Sequence, residues 1–260
     1  MKLNIFSSEQ LKRAETIINS PYSKFSDLSS EEIKDLAVVW CYYSGRIEGN
    51  TYTYVETDVL LRTGISAIKK YEDAKMLKNL YNAFISLVET IKGQRERISI
   101  DKRTVFTIHS MVSDGLVNVK NKGTFRIMPV KITGTEYIPP KDETEIRETF
   151  EQIIEQQNDL KNPLEKAVYL HCNMAKLQPF IDGNKRTSRL LEGVVMMNAD
   201  IIPVYSTKEE DILNYRGGLL DFYETGSYSK YADYFLNRQL KRLQDVMPQK
   251  QQHIKTTENT

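Results

Sequence analysis

The sequence predicts an all-α protein, and three observations predict it. Glycine and proline are sparse, at 12 and 8 in 260 residues. Over long stretches apolar residues recur at intervals of three and four, as a helix with one buried face requires. Only one segment, 126–140, alternates apolar and polar side chains with the two-residue period of a strand.

The elements follow in chain order. Ser29-Ser30-Glu31-Glu32 reads as a capping box, in which a serine oxygen and a glutamate three residues on satisfy orphan N–H groups. The helix it starts places Leu36, Val39, Trp40 and Tyr43 on one face and ends near Gly45 or Gly49, where glycine tolerates a left-handed cap. Further helices are predicted at 74–91, 101–112, 143–157, 163–176, 184–197, 209–224 and 229–243. Between the third and fourth, Arg126 to Pro140 centres on Thr133-Gly134-Thr135 and reads as a short β-hairpin with an exposed tip, stopped by Pro139-Pro140. The polar end, 248–260, lacks periodicity and reads as a flexible tail. No interior linker marks a boundary, so 1–247 reads as a single domain.

Composition excludes several classes of function. With 36 basic and 35 acidic residues, nothing favours nucleic acid or an anionic membrane as a partner. A hydrophobic fraction of 40% suits an ordinary soluble core. No apolar run reaches the roughly 18 residues that span a bilayer, and Met1-Lys2-Leu3-Asn4-Ile5 has no apolar signal region. Cys41 and Cys172 sit in helical patterns without metal or redox spacing. They read as free thiols in a reducing compartment, so a cytoplasmic location is expected.

Chemistry concentrates in Gln178-Pro179-Phe180-Ile181-Asp182-Gly183-Asn184-Lys185-Arg186-Thr187-Ser188-Arg189. Gly183 and Asn184 suit a tight turn that exposes backbone N–H groups, and the apolar run from Leu190 to Met196 continues it as a helix. Backbone donors at a helix N-terminus, with Lys185, Arg186 and Arg189 nearby, form a seat for polyphosphate. Asp182 suits a hard cation such as Mg²⁺, which arrives with substrate phosphates.

This run resembles the active-site motif of the Fic family, His-x-Phe-x-(Asp/Glu)-Gly-Asn-x-Arg-x-x-Arg. Every fixed position but the first is present, and Gln178 stands where the family places its catalytic His. Gly123-Thr124-Phe125-Arg126 and Tyr137-Ile138-Pro139-Pro140 are similar to the segments around the family's flap. The resemblance implies a Fic fold: a multi-helix bundle with a short β-hairpin flap and a core at about 100–200. It implies AMP transfer from ATP to a Ser, Thr or Tyr hydroxyl of a protein. In that scheme Val130, Lys131, Ile132, Thr133 and Gly134 dock the target, by the strand-like pairing an open edge allows. Asp182 holds Mg²⁺ on the α- and β-phosphates. Gly183, Asn184 and the backbone of Lys185 form the anion hole, Arg186 neutralises the transferred phosphate, and Arg189 holds the terminal one. Arginine fits both tasks because its planar fork matches phosphate oxygens.

The departure at Gln178 falls on the base. A hydroxyl is a poor nucleophile unless a base adjoins it, and an amide has no accessible protonation change. Loss of a positioned base costs about 10²–10⁴-fold in rate. His171 lies seven residues upstream, about 10 Å along a helix, and reads as structural, as does His109. Three readings of Gln178 fit the residues: a nucleotide-binding pseudoenzyme, altered chemistry, or an introduced change in a competent enzyme. Lys185, where many members have Gly, resembles the Doc branch that phosphorylates its targets, but Arg189 argues against that branch.

Ser44-Gly45-Arg46-Ile47-Glu48-Gly49-Asn50 resembles the family's inhibitory motif, on a helix at about 29–48 preceding the core. The resemblance implies that Glu48 occupies Arg189 and so blocks the γ-phosphate, with Ser44 as the companion residue. The rival from another class is a nucleotide-sensing interaction module without catalysis. Removal of AMP from a modified target is a third. Self-modification and a homo-oligomer stay open.

Overall fold

The computed structural model describes the backbone of residues 3–257 and side chains over 3–246. Among the described residues there are ten α-helices: α1 (Ser8–Asn19), α2 (Ser30–Ile47), α3 (Tyr54–Thr63), α4 (Tyr71–Val88), α5 (Lys102–Val112), α6 (Glu143–Gln156), α7 (Pro163–Leu177), α8 (Asn184–Asn198), α9 (Glu209–Thr225) and α10 (Ser229–Thr257). The all-α expectation holds, and eight of these helices lie where periodicity places them.

Two helices were not expected, although each carries its own start signal. Ser7 with Gln10, and Thr53 with Glu56, form capping boxes that open α1 and α3. Gly64 then closes α3 in the left-handed conformation. α3 is short and buries only Thr57 and Leu60, so its apolar periodicity is faint, whereas α1 is amphipathic, burying Ala14 and Ile17, and its pattern was readable.

α7 and α8 form the centre. α7 buries Leu164, Ala167, Val168, Leu170 and Ala175. α8 buries Leu190, Leu191, Val194 and Val195, and also its polar first turns. A helix covered on all sides has neighbours all round; here α5 packs on α8, α6 on α7, and α9 pairs with α10 beside α7. α2 is held from the other side, with Trp40 fully buried against Phe84 of α4 and Tyr205. The two thiols, Cys41 and Cys172, are buried and free, and burial raises both well above the ordinary thiol value. No helix among the described residues is long and apolar enough to cross a membrane.

Two expectations need correction. The β-hairpin is not present as a ladder: the β pairing among the described residues is an isolated bridge between Lys24 and Ile201. The segment after Arg126 is instead an open loop that turns at Gly134, where φ is +88°. The Arg126 guanidinium bridges the carbonyls of Met128 and Pro140, so a side chain joins the two stems of the loop. Pro129, Pro139 and Pro140 have no N–H to donate. At the other end, α10 runs on to Thr257, so 248–257 is helical rather than irregular, in keeping with its content of Gln and Lys. The rest of the expected tail, 258–260, lies outside the described residues.

Candidate active site

The motif turn joins α7 to α8, and local contacts fix its shape. Gln178 ends α7 in the left-handed conformation, at φ +51° and ψ 59°. Its N–H donates to the Met174 carbonyl, and its side-chain amide N donates to the Ala175 carbonyl at 2.6 Å. The side chain is thus turned back onto the last turn of its own helix. Asn184 then clasps the loop, because its amide donates to the Phe180 carbonyl at 2.7 Å and accepts from the Phe180 N–H at 2.8 Å.

His109, from α5, supports the same loop from beneath. Its ring stacks on Phe180 at 3.8 Å. Nδ1 accepts from the Gly123 N–H at 2.9 Å, so the proton sits on Nε2, which donates to the Asp182 carbonyl at 3.0 Å. Burial, with Arg186 adding to it, pushes the imidazole down to about 4, so it stays neutral near pH 7. His109 is a positioning group and has no free nitrogen for proton transfer.

Gly183 opens α8 at φ +78°, a conformation that disfavours a side chain. No side chain caps this helix. Its first N–H groups therefore face outward, as an anion seat requires. Arg186 is buried; it donates to Asp182 Oδ2 at 2.7 Å and to the Val112 carbonyl at 3.2 Å, and its Nε has no protein partner. Asp182 keeps a side chain that is 60% exposed.

One turn on, Arg189 is 1% exposed and surrounded by donors' partners from two other helices. Its Nε donates to Ser44 Oγ at 2.9 Å, one terminal nitrogen to Tyr215 Oη at 3.1 Å, and the other to Glu48 Oε1 at 2.6 Å. Lys185 lies 4.0 Å from the second Glu48 oxygen. Burial raises the Glu48 carboxyl, but Arg189, with Lys185 and Arg186, outweighs it and holds the group below the ordinary carboxylate range. The residues singled out from two distant stretches of sequence, 44–48 and 182–189, therefore meet at one point.

Matching this geometry, the Fic/DOC family profile covers residues 99–196. Residues 99–196 thus match a Fic/DOC family domain. A protein named protein adenylyltransferase Fic from Drosophila grimshawi is 30% identical over 175 residues, 65% of this chain and 35% of that protein. The namesake from Culex quinquefasciatus is 28% identical over 205 residues, 77% of this chain and 40% of its own length. The chain spans about a third of the length of the first of these curated relatives. Among solved structures, Fic-1 from C. elegans superposes with a TM-score of 0.73 at 20% identity, covering 92% of this chain and 71% of that one. That similarity shows the Fic fold.

Beside Glu48 the protein opens into a cavity of about 570 Å³. Its walls are Glu48 and Lys185, the loop tip at Ile132, Thr133 and Gly134, and the α9 face Tyr215, Leu219 and Tyr223. Tyr223 is 2% exposed and its hydroxyl has no protein partner. A larger groove of 710 Å³ between α4 and α5, lined by Asn79, Arg103 and Lys122, contains none of the motif residues. Val130 and Lys131 lie on the open loop outside both.

Sequence reasoning missed three parts of this site. Tyr215, Leu219 and Tyr223 belong to an apolar stripe of α9 that is indistinguishable from core by periodicity. Arg216, which donates to the Ile47 carbonyl at 2.9 Å, looks like any surface arginine. Arg126 was noted only as part of a family segment. His171 is fully buried, with Nε2 3.1 Å from Tyr215 Oη; its Nδ1 is 2.9 Å from Glu192 but off line for a hydrogen bond. It faces the core, as expected.

Proposed function

We propose that this chain is a Fic-type scaffold for transfer of AMP from ATP to a protein hydroxyl, held off by Glu48 and weak or inactive because Gln178 stands at the base position. The observation that carries this reading is the Glu48–Arg189 contact at 2.6 Å, next to an uncapped helix start and a cavity of nucleotide size. The apolar walls Ile132, Leu219 and Tyr223 suit a purine ring, and Tyr223 offers it an unused hydroxyl. The N–H groups at Gly183, Asn184 and Lys185 suit the phosphates, with Arg186 on the α-phosphate and Arg189 on the terminal one. A carboxylate on Arg189 and a γ-phosphate on Arg189 exclude each other, which is the logic of the brake.

In the reaction the acceptor oxygen attacks the α-phosphorus. The bond to the bridging oxygen of the β-phosphate breaks, pyrophosphate leaves, and the acceptor proton passes to a base at position 178. Gln178 cannot take that proton, so the step stalls at the chemistry and not at binding. Asp182, with one carboxylate oxygen on Arg186 and the other unclaimed, suits Mg²⁺ held jointly with substrate phosphates. Mg²⁺ would supply charge neutralisation on those phosphates. The acceptor is a protein, placed along the open loop at 127–141, where Val130 and Lys131 to Gly134 present backbone and side chains to it.

A second reading, a nucleotide-responsive interaction module, is favoured by one observation: the Gln178 amide nitrogen is spent on its own helix, on the Ala175 carbonyl. Calorimetric titration with ATP and AMP tests the part common to both readings. Glu48→Gly is expected to tighten ATP at least tenfold and leave AMP nearly unchanged, since AMP has no phosphate to place on Arg189. Equal effects on both nucleotides would contradict the brake.

A further inference from the structure

Arg126 makes an arrangement that neither the fold nor phosphate binding calls for. Its side chain is 97% withdrawn from solvent, at 3% exposure, yet its fork meets carbonyls and not a carboxylate. Nε donates to the Gln178 carbonyl at 2.6 Å, one terminal nitrogen to the Met128 carbonyl at 3.0 Å, and the other to the Pro140 carbonyl at 2.5 Å. Its own N–H donates to the Pro179 carbonyl at 2.9 Å. Burying a guanidinium is costly unless its donors are used, and here every nitrogen is used on backbone.

The four acceptors fall into two groups. Gln178 and Pro179 are consecutive residues of the motif turn, and both of their carbonyls accept from Arg126. Met128 and Pro140 are the two stems of the open loop. A single planar group therefore bridges the turn that carries the base position to both ends of the segment on which a target would lie. Lysine could not do this: an ammonium on a flexible stem is a point donor without the fixed fork.

We infer that Arg126 is a positioning residue that sets the register between the docking loop and residue 178, and hence between an acceptor hydroxyl and the base. This rests on the proposed function of the loop and of position 178. Arg126 touches neither the anion seat nor the nucleotide cavity, so its loss should separate acceptor handling from nucleotide handling. A displacement of about 1 Å between reacting groups can cost 10²-fold in rate.

The test uses the full chain carrying Gln178→His and Glu48→Gly, with Arg126→Lys and Arg126→Gln added singly. The acceptor is a pool of Ser-, Thr- and Tyr-containing peptides. Both Arg126 variants should raise the half-saturating peptide concentration and lower transfer at least tenfold, with the KM for ATP unchanged. A partly unfolded variant would lower the rate alone and move neither constant. Recovery by lysine, or a parallel rise in the KM for ATP, would overturn the inference. Hydrogen exchange on the otherwise unaltered chain with Arg126→Lys gives a readout independent of catalysis. Exchange should rise together at 127–140 and 178–180 and stay unchanged in α4. Faster exchange in only one of the two segments would overturn the coupling. Absence of transfer in the parent double variant would count against the proposed function, and exchange would then decide the role of Arg126.

Discussion

At the scale of single residues, position 178 joins a backbone argument to the proposed chemistry. A left-handed conformation is uncommon for glutamine and several-fold more frequent for histidine, so Gln178 bears a strain its replacement would ease. Gln178→His should therefore leave thermal stability unchanged or slightly higher, while raising transfer in a Glu48-free background by about 10²–10⁴-fold; a large loss of stability would contradict the backbone argument. His109 makes a second prediction. Its value is pushed down to about 4, from an ordinary 6.5. The unfolded chain therefore takes up a proton first as pH falls, and stability is lost between about 6.5 and 4. At 1.36 kcal/mol per unit the loss is roughly 3 kcal/mol. Urea midpoints measured across that range should show the slope in the parent and lose it in His109→Gln, whose amide can still donate to Asp182 and accept from Gly123. The motif residues stood out in sequence because the proposed phosphate chemistry needs these types at this spacing. His109 as a support was not, because its partners are backbone atoms, which leave no mark in sequence.

At the scale of elements, the end of α2 is the decisive piece. Its last carbonyls are taken by Arg189, which reaches Ser44 O at 3.4 Å, and by Arg216 of α9, which reaches Ile47 O at 2.9 Å. Cations suit a helix C-terminus, where unpaired carbonyls concentrate negative charge. Asn50 ties the following turn to α4 through the Asp73 carbonyl at 2.9 Å. Three helices thus hold Glu48 in place. Arg216→Ala should cost about 0.5–1.5 kcal/mol and should strengthen ATP binding in the parent chain but not in Glu48→Gly. An equal gain in both backgrounds, measured by calorimetry, would mean that Arg216 does not act through Glu48. Helices with a broad apolar face were readable from sequence. The loop at 127–141 was not: strand-like alternation was present, but Arg126 bridges the carbonyls at its stems, and no ladder forms. Alternation reports which side chains are buried, not what the backbone bonds to.

At the scale of the whole molecule, the Glu48–Arg189 pair is also part of the fold. Arg189 lies inside the bundle, and removing its carboxylate leaves a buried cation. Breaking such a pair costs about 3–5 kcal/mol; Glu48 is 16% exposed, which puts the expected cost of Glu48→Gly near the low end, about 3 kcal/mol. For a chain of this size each kcal/mol is worth about 2–4 °C in Tm, so a fall of roughly 6–12 °C is expected. A γ-phosphate can replace the lost carboxylate. ATP at about 100 times its Kd restores about 2.7 kcal/mol, so ATP should return most of the lost Tm, and AMP at the same concentration far less. Equal rescue by both would show that Arg189 is not the terminal-phosphate site. The overall fold followed from periodicity, whereas the meeting of 44–48 with 182–189 depended on the family resemblance, since nothing in spacing alone brings segments so far apart together.

The most direct measurement is transfer of label to protein from ATP carrying it on the α-phosphate, and separately on the γ-phosphate, with Mg²⁺ present. The parent chain would be compared with Gln178→His and Glu48→Gly combined. Strong α-label on the combined variant, little on the parent, and no γ-label on either is the predicted result. Label on neither protein, with the variant folded and binding ATP, would contradict an AMP-transfer scaffold; γ-label alone would replace it with phosphoryl transfer.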